Sequence, residues 1–95
     1  MSKLTDLARG QNCMIRLPGI CSFDQSTVVL CHYRLAGECG TGIKPPDLLG
    51  AWGCDRCHSA VDGRLETEFT REYLRLAHAE ACLRTIAELI RLRLV

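Results

Sequence analysis

The chain has 95 residues, 47% of them hydrophobic, and 12 Lys and Arg against 11 Asp and Glu leave a net charge of +1. So short a chain buries a modest share of its surface on folding, which predicts a single domain over 1–95, and the mean hydropathy of +0.04 excludes a disordered polyelectrolyte. No apolar run approaches the roughly 20 residues that span a bilayer, and Met1-Ser2-Lys3-Leu4-Thr5-Asp6 lacks the apolar stretch of a signal peptide, so a cytoplasmic protein without membrane contact is expected.

Residues 1 to about 12 are polar enough to form only a short helix or an arm. In Cys13 to Cys21 the dipeptide Pro18-Gly19 marks a turn, because Pro fixes φ and Gly accepts positive φ; the segment reads as a short strand or knuckle. Thr27 to Tyr33 is β-branched and aromatic, with Val28, Leu30 and His32 on one face, and is the best strand signal in the chain. Three glycines and Pro45-Pro46 keep 34–47 from being helix or sheet, so a long shaped loop is predicted there. Leu48 to Gly53 leads apolar residues into Cys54, and Asp55 to Asp62 has the composition of a short helix ending before Gly63. From Glu66 to Val95 the pattern is helical, with Phe69, Tyr73, Leu76, Ala77, Leu83, Ile86, Ala87, Ile90 and Leu94 at three- and four-residue steps, and Thr67 or Thr70 as its cap. The 8–65 segment is therefore read as a core and 66–95 as a packing helix. Leu89 and Leu92 widen its apolar stripe, which also offers a homodimer contact.

Seven cysteines are the feature an ordinary small domain does not need. In a reducing compartment an odd number points away from a disulfide framework and toward thiolate ligation of a metal. A structural zinc supplies folding free energy outright to a chain with only five aromatic residues. Cys54-Asp55-Arg56-Cys57 is a CxxC at a helix start, a spacing that lets two thiolates reach one tetrahedral ion. Cys13 and Cys21, brought together by the Pro18-Gly19 turn, are the candidates for the other half, with Cys39 as a substitute for either. Cys31 and Cys82 read as small buried apolar side chains, Trp52 as core and His78 as a surface or interhelical residue.

His58 follows Cys57 directly, and a CxxCH string also attaches c-type haem. That chemistry calls for export and for large aromatics around a porphyrin, neither of which the sequence offers. The other reading sets His58 against His32 at the end of the strand. Cys13 and Cys21, the strand from Val28 to Tyr33 with His32, Gly40-Thr41-Gly42, Asp47-Leu48-Leu49 and Cys54 to His58 resemble the HNH endonuclease family in its zinc-bearing form. Within it the chain is similar to a small prophage-encoded group of HNH-fold nucleases, with Gly40 to Leu48 as the most individual string. The resemblance covers residues from about 8 to 65.

The resemblance implies an α+β fold, a zinc-stabilised ββα-metal domain, carrying a long C-terminal helix. It implies that His32 is the general base on the attacking water, that Asp47 stands where the family usually has the asparagine orienting that base, and that His58 is a ligand of a catalytic divalent ion. Asp62, four residues after His58, shares its helical face and offers an oxygen to the same ion, a donor suited to Mg²⁺ or Mn²⁺. Histidine is the side chain poised to take a proton near neutral pH, and a cation offsets charge in the transition state of phosphodiester hydrolysis. Cys31 stands where the family carries an acid before the first histidine.

A net charge of +1 is no basic footprint, so any nucleic-acid contact must be local. Arg34, Lys44, Arg56 and Arg64 flank the expected site, and guanidinium favours bidentate phosphate contact. The expected function is metal-dependent hydrolysis of DNA, branched or structured DNA included. The alternative is a non-catalytic zinc module that binds nucleic acid or a protein partner in phage recombination.

Overall fold

The computed structural model describes residues 3–40 and 42–95; Thr41 of the Gly40-Thr41-Gly42 string lies outside them. The elements in chain order are helix α1 (Lys3–Leu7), strand β1 (Val29–His32), strand β2 (Gly50–Gly53), helix α2 (Asp55–Val61) and helix α3 (Arg71–Arg91), with 3₁₀ turns at Gln25–Thr27 and Asp47–Leu49. This is a small α+β arrangement: one two-stranded sheet, and a long C-terminal helix packed against β2. None of the described helices is long and apolar enough to cross a membrane.

β1 and β2 pair antiparallel with Leu30 opposite Trp52 and Cys31 opposite Ala51. The strand expected over Thr27 to Tyr33 is shorter at both ends. Asp24 caps a 3₁₀ turn by accepting from the Ser26 N–H, and the chain becomes extended only at Val28. β2 was not expected as a strand. Its backbone is completed from both sides: beyond the β1 ladder, the Met14 N–H donates to Trp52 O at 2.7 Å and the Trp52 N–H donates to Thr85 Oγ1 at 3.1 Å. Buried backbone groups must find partners, and these contacts leave no open edge at Trp52.

The core gathers Leu17, Val28, Leu30, Cys31, Trp52, Ala60, Ala81, Cys82 and Leu89. Trp52 is 1% exposed and Cys31 fully buried, as expected; His78 is not at the surface but 7% exposed. Its Nε2–H donates to Cys31 O at 2.9 Å and its ring meets Tyr33 edge-on at 5.1 Å.

α3 starts later than the apolar periodicity suggests, because Thr70 rather than Thr67 is the cap that accepts from the Tyr73 N–H, and it stops at Arg91. Its buried face also differs from the expected stripe. His78, Ala81, Cys82, Thr85 and Leu89 face the sheet, while Tyr73, Leu76, Leu83, Ile90 and Leu94 are exposed. Small side chains at Ala81 and Cys82 let helix and sheet approach closely, so the packing face takes smaller side chains than the leucines left outside. Leu89 lies in the core and has no part in any outward contact.

Candidate metal centre and histidine pairs

Two segments of chain bring four sulfurs together. The Cys13 and Cys21 arms are joined at Pro18-Gly19, where Gly19 adopts φ +73° and the Ile20 and Cys21 N–H groups both return to Leu17 O. Cys54 is the N-cap of α2 and Cys57 lies in its first turn. The four Sγ atoms of Cys13, Cys21, Cys54 and Cys57 lie within 4.8 Å of one another, close enough to hold a metal ion such as zinc. Zinc–sulfur bonds of about 2.3 Å in a tetrahedron set sulfur–sulfur edges near 3.8 Å. Cys21 and Cys54 stand at 3.8 Å. Cys39 is not part of the cluster; its thiol turns to Leu35 O.

The surrounding backbone treats these sulfurs as acceptors. The Arg16 N–H points at Cys13 Sγ, the Leu17 N–H at Cys57 Sγ, and the Ser22 and Cys57 N–H groups at Cys54 Sγ, at 3.4 to 3.5 Å. Arg16 takes φ +52° and Phe23 φ +55°, left-handed backbone that non-glycine residues adopt at a cost. Both positions lie in the turns that wrap the sulfurs, and the donors they aim support thiolate charge. The hydrogen bond from Cys57 draws the Cys13 thiol down to about 4 and raises Cys57. Burial pushes Cys21 up to about 11. Burial also opposes ionisation of Cys54, but hydrogen bonds from Ser22 and Cys57 outweigh it and lower that thiol. Four sulfurs competing for protons in one buried shell is an arrangement that a divalent cation resolves, by replacing those protons with a single charge.

On the sheet's other features stand two histidine–carboxylate pairs. His32, the last residue of β1, donates Nε2–H to Asp47 Oδ1 at 2.7 Å, and Lys44 Nζ approaches the same oxygen at 3.8 Å. The 3₁₀ turn starting at Asp47 runs straight into β2, which places Gly50 opposite His32 and so carries the carboxylate to the strand end. His58 and Asp62, one turn apart on α2 and its C-cap, bring Nε2 and Oδ2 to 3.1 Å. Arg64 reaches that same Oδ2 at 3.2 Å. Cys31 offers nothing to either pair: it is fully buried with its Sγ among Val29 O and Gly53 O, and burial raises its thiol.

The cations singled out by sequence behave unequally. Arg34 and Lys44 are exposed, Arg56 donates Nε–H to Ile20 O at 2.9 Å, and Arg64 is engaged with Asp62. Asp55 turns outward and accepts from Ser22 Oγ. Two groups near the pairs were not expected there: His78, whose ring bonds to the carbonyl of Cys31, the residue before His32, and Arg75, whose guanidinium lies 4.3 Å over the Tyr33 ring.

Against known proteins, a family profile described as "Putative nuclease YbcO" matches residues 2–93. The chain belongs to the YbcO family. A protein named "Putative nuclease YbcO" from Escherichia coli (strain K12) is 48% identical to it over 64 residues, 67% of each chain, and so is "Putative nuclease ybcO" from Enterobacteria phage 82. YbcO relatives thus occur in a phage as well as a bacterium. A solved structure, described as that of a putative bacteriophage protein from Escherichia coli str. K-12 substr. MG1655, superimposes with a TM-score of 0.80 at 30% identity, covering 94% of this chain and 98% of the other.

Proposed function

We propose that this YbcO-family chain is a metal-dependent endonuclease of the HNH type that hydrolyses DNA phosphodiester bonds. The observation that carries the proposal is the His32–Asp47 hydrogen bond, made by a strand-end imidazole that is only 20% exposed. In the neutral ring, with Nε2–H given to the carboxylate, Nδ1 keeps the lone pair that a general base needs. Asp47 fixes the ring and its tautomer, and this base and His58 lie on two elements that both pack against β2, in the β1–β2–α2 order of a ββα-metal domain. The nuclease names of the relatives agree with this reading.

His58 and Asp62 fit a hard divalent ion that keeps several of its waters, such as Mg²⁺ or Mn²⁺, since they give one imidazole and one carboxylate at the rim of a helix. When bound there, such an ion offsets the negative charge that builds on the phosphate and the leaving oxygen. The chain's own residues do the rest. His32 takes the proton of the attacking water, Asp47 holds His32, and the sulfur cluster, holding zinc, locks α2 so that His58 keeps its place. A homodimer contact through α3, if formed, runs over the exposed Leu76, Leu83 and Ile90 rather than Leu89.

A second reading rests on Cys31. Where the HNH resemblance expects an acid, this buried thiol supplies no oxygen ligand, which favours a non-catalytic zinc module that binds nucleic acid or a protein partner in phage recombination. Plasmid and branched DNA incubated with Mg²⁺, Mn²⁺ or Ni²⁺ separate the two. Cutting by the wild type that is lost in His32→Ala and Asp47→Ala is expected; no cutting by any of the three leaves the non-catalytic module, and equal cutting by all three rejects the assignment of the chemistry to His32 and Asp47.

A further inference from the structure

Between the last turn of α2 and the first two turns of α3 lies a cleft of about 260 Å³. Ala60 and Gly63 form one wall, Arg71 and Arg75 the other, and His78 is part of the lining. Residues four apart share a helix face, so Arg71 and Arg75 project from the same side of α3 into this cleft. Both are exposed, and among the described residues neither has an ion-pair partner, whereas Arg64, Arg84 and Arg91 each have one. Glu66 is the acid lining the cleft, and it salt-bridges neither.

Their place on the helix is the second observation. Arg71 and Arg75 sit in the first turns of a 21-residue helix, where the aligned peptide dipoles present positive charge and cations are least favourable. An oxyanion bound between them removes both the dipole conflict and the mutual repulsion. Arg75 is also held ready for one. Its planar group is stacked on Tyr33, the residue after His32, and Tyr33 is braced edge-on by buried His78. The guanidinium is thereby tied to the strand that carries the candidate base, while Arg56 and Arg64 are occupied by Ile20 O and Asp62.

We propose that Arg71 and Arg75 form a phosphate-binding pair that grips the DNA backbone beside the two histidine pairs. The identity of the ligand rests on the nuclease reading; the anion site rests on the cleft and its two arginines.

The test is fluorescence anisotropy with a labelled DNA duplex over a salt series, without added divalent ion so that no strand is cut. Arg71→Gln and Arg75→Gln are each expected to weaken binding roughly 3- to 10-fold and to lower the slope of log affinity against log salt by about one. Arg75→Lys, which keeps charge but loses the planar fork, falls between, and Arg93→Gln, at the exposed far end of the chain, binds as the wild type. Wild-type affinity and slope in both glutamine variants, or an equal loss in Arg93→Gln, overturns the pair. The same arginine dependence on an RNA duplex but not on DNA overturns the choice of DNA. Cleavage by the same samples with Mg²⁺ or Mn²⁺ keeps the two proposals apart. Binding through both arginines with no cutting rejects the nuclease reading and supports the pair, whereas cutting that both variants perform normally rejects the pair alone.

Discussion

The sulfur cluster and the histidine pairs are built from opposite materials. Around Cys13, Cys21, Cys54 and Cys57 the backbone closes in, three of the four side chains are buried, and N–H groups converge on the sulfurs. The histidines are braced by carboxylates instead, and His32, Asp47, His58 and Asp62 remain 18 to 41% exposed. A closed shell of four soft donors suits an ion that stabilises; an open rim of imidazole and carboxylate suits a site where water and substrate must enter. On the proposed reading, stability falls to the sulfur cluster and chemistry to the histidine pairs, although Cys57 and His58 are adjacent in the chain.

The sharpest way to break that division is to remove a sulfur. Cys57→Ser is expected to lose bound zinc and the fold with it, since structural zinc contributes on the order of 10 kcal/mol in small zinc domains; metal analysis and circular dichroism read both, and Cys82→Ser keeps a full complement of metal. A Cys57→Ser protein that stays folded and metal-loaded contradicts the assignment. Next comes His32→Ala, for which a roughly 10²- to 10⁴-fold fall in cleavage rate with an unaltered melting temperature is expected. Asp62→Asn should act more mildly, raising the Mg²⁺ or Mn²⁺ concentration for half-maximal cleavage about tenfold while saturating ion restores the rate; a loss that no ion concentration recovers would show a different role. Thr70→Ala removes the α3 cap and is expected to cost about 1 kcal/mol in urea unfolding.

The smallest effect concerns pH. Burial holds His78 below the ordinary histidine range, with the Cys31 carbonyl bond opposing. Above about pH 6.5 folded and unfolded chains both leave it neutral and its contribution is constant. As pH falls below that value the unfolded chain takes up a proton that the folded one refuses, so stability declines until the lower folded value is reached. The urea midpoint of His78→Gln should fall less steeply than that of the wild type between pH 7 and pH 5.5; parallel curves would remove His78 from the titration.

How much of this could be read from the chain depended on how local each signal was. The CxxC at Cys54 and the Pro18-Gly19 turn are short-range features, and both carried over into the sulfur cluster. β2 escaped because Gly50-Ala51-Trp52-Gly53 has no β-branched residue; its extended form is imposed by partners from β1, Met14 and Thr85. The α3 face was misread for a related reason. Hydropathy favoured Leu76, Leu83 and Ile90, while the sheet accepts Ala81, Cys82 and Thr85, whose hydroxyl serves Trp52. The His32–Asp47 contact spans 15 residues through a glycine-rich loop, and only family resemblance pointed to it. Arg71 and Arg75 went unnoticed because they lie in sequence far from every cysteine and histidine of the expected site.

Gly53 ties the two sides of the molecule together. It is the last residue before Cys54, and a methyl group added there would come within 2.6 Å of Ile15 and 2.8 Å of the Cys31 sulfur. Ile15 belongs to the first knuckle and Cys31 precedes His32, so a single extra carbon pushes at once on the turn after Cys13 and on the strand that ends in His32, the proposed base. The absent side chain works as a shared clearance: the spacing between the first knuckle and β1 is set by a hydrogen atom, and any widening there would be transmitted to both.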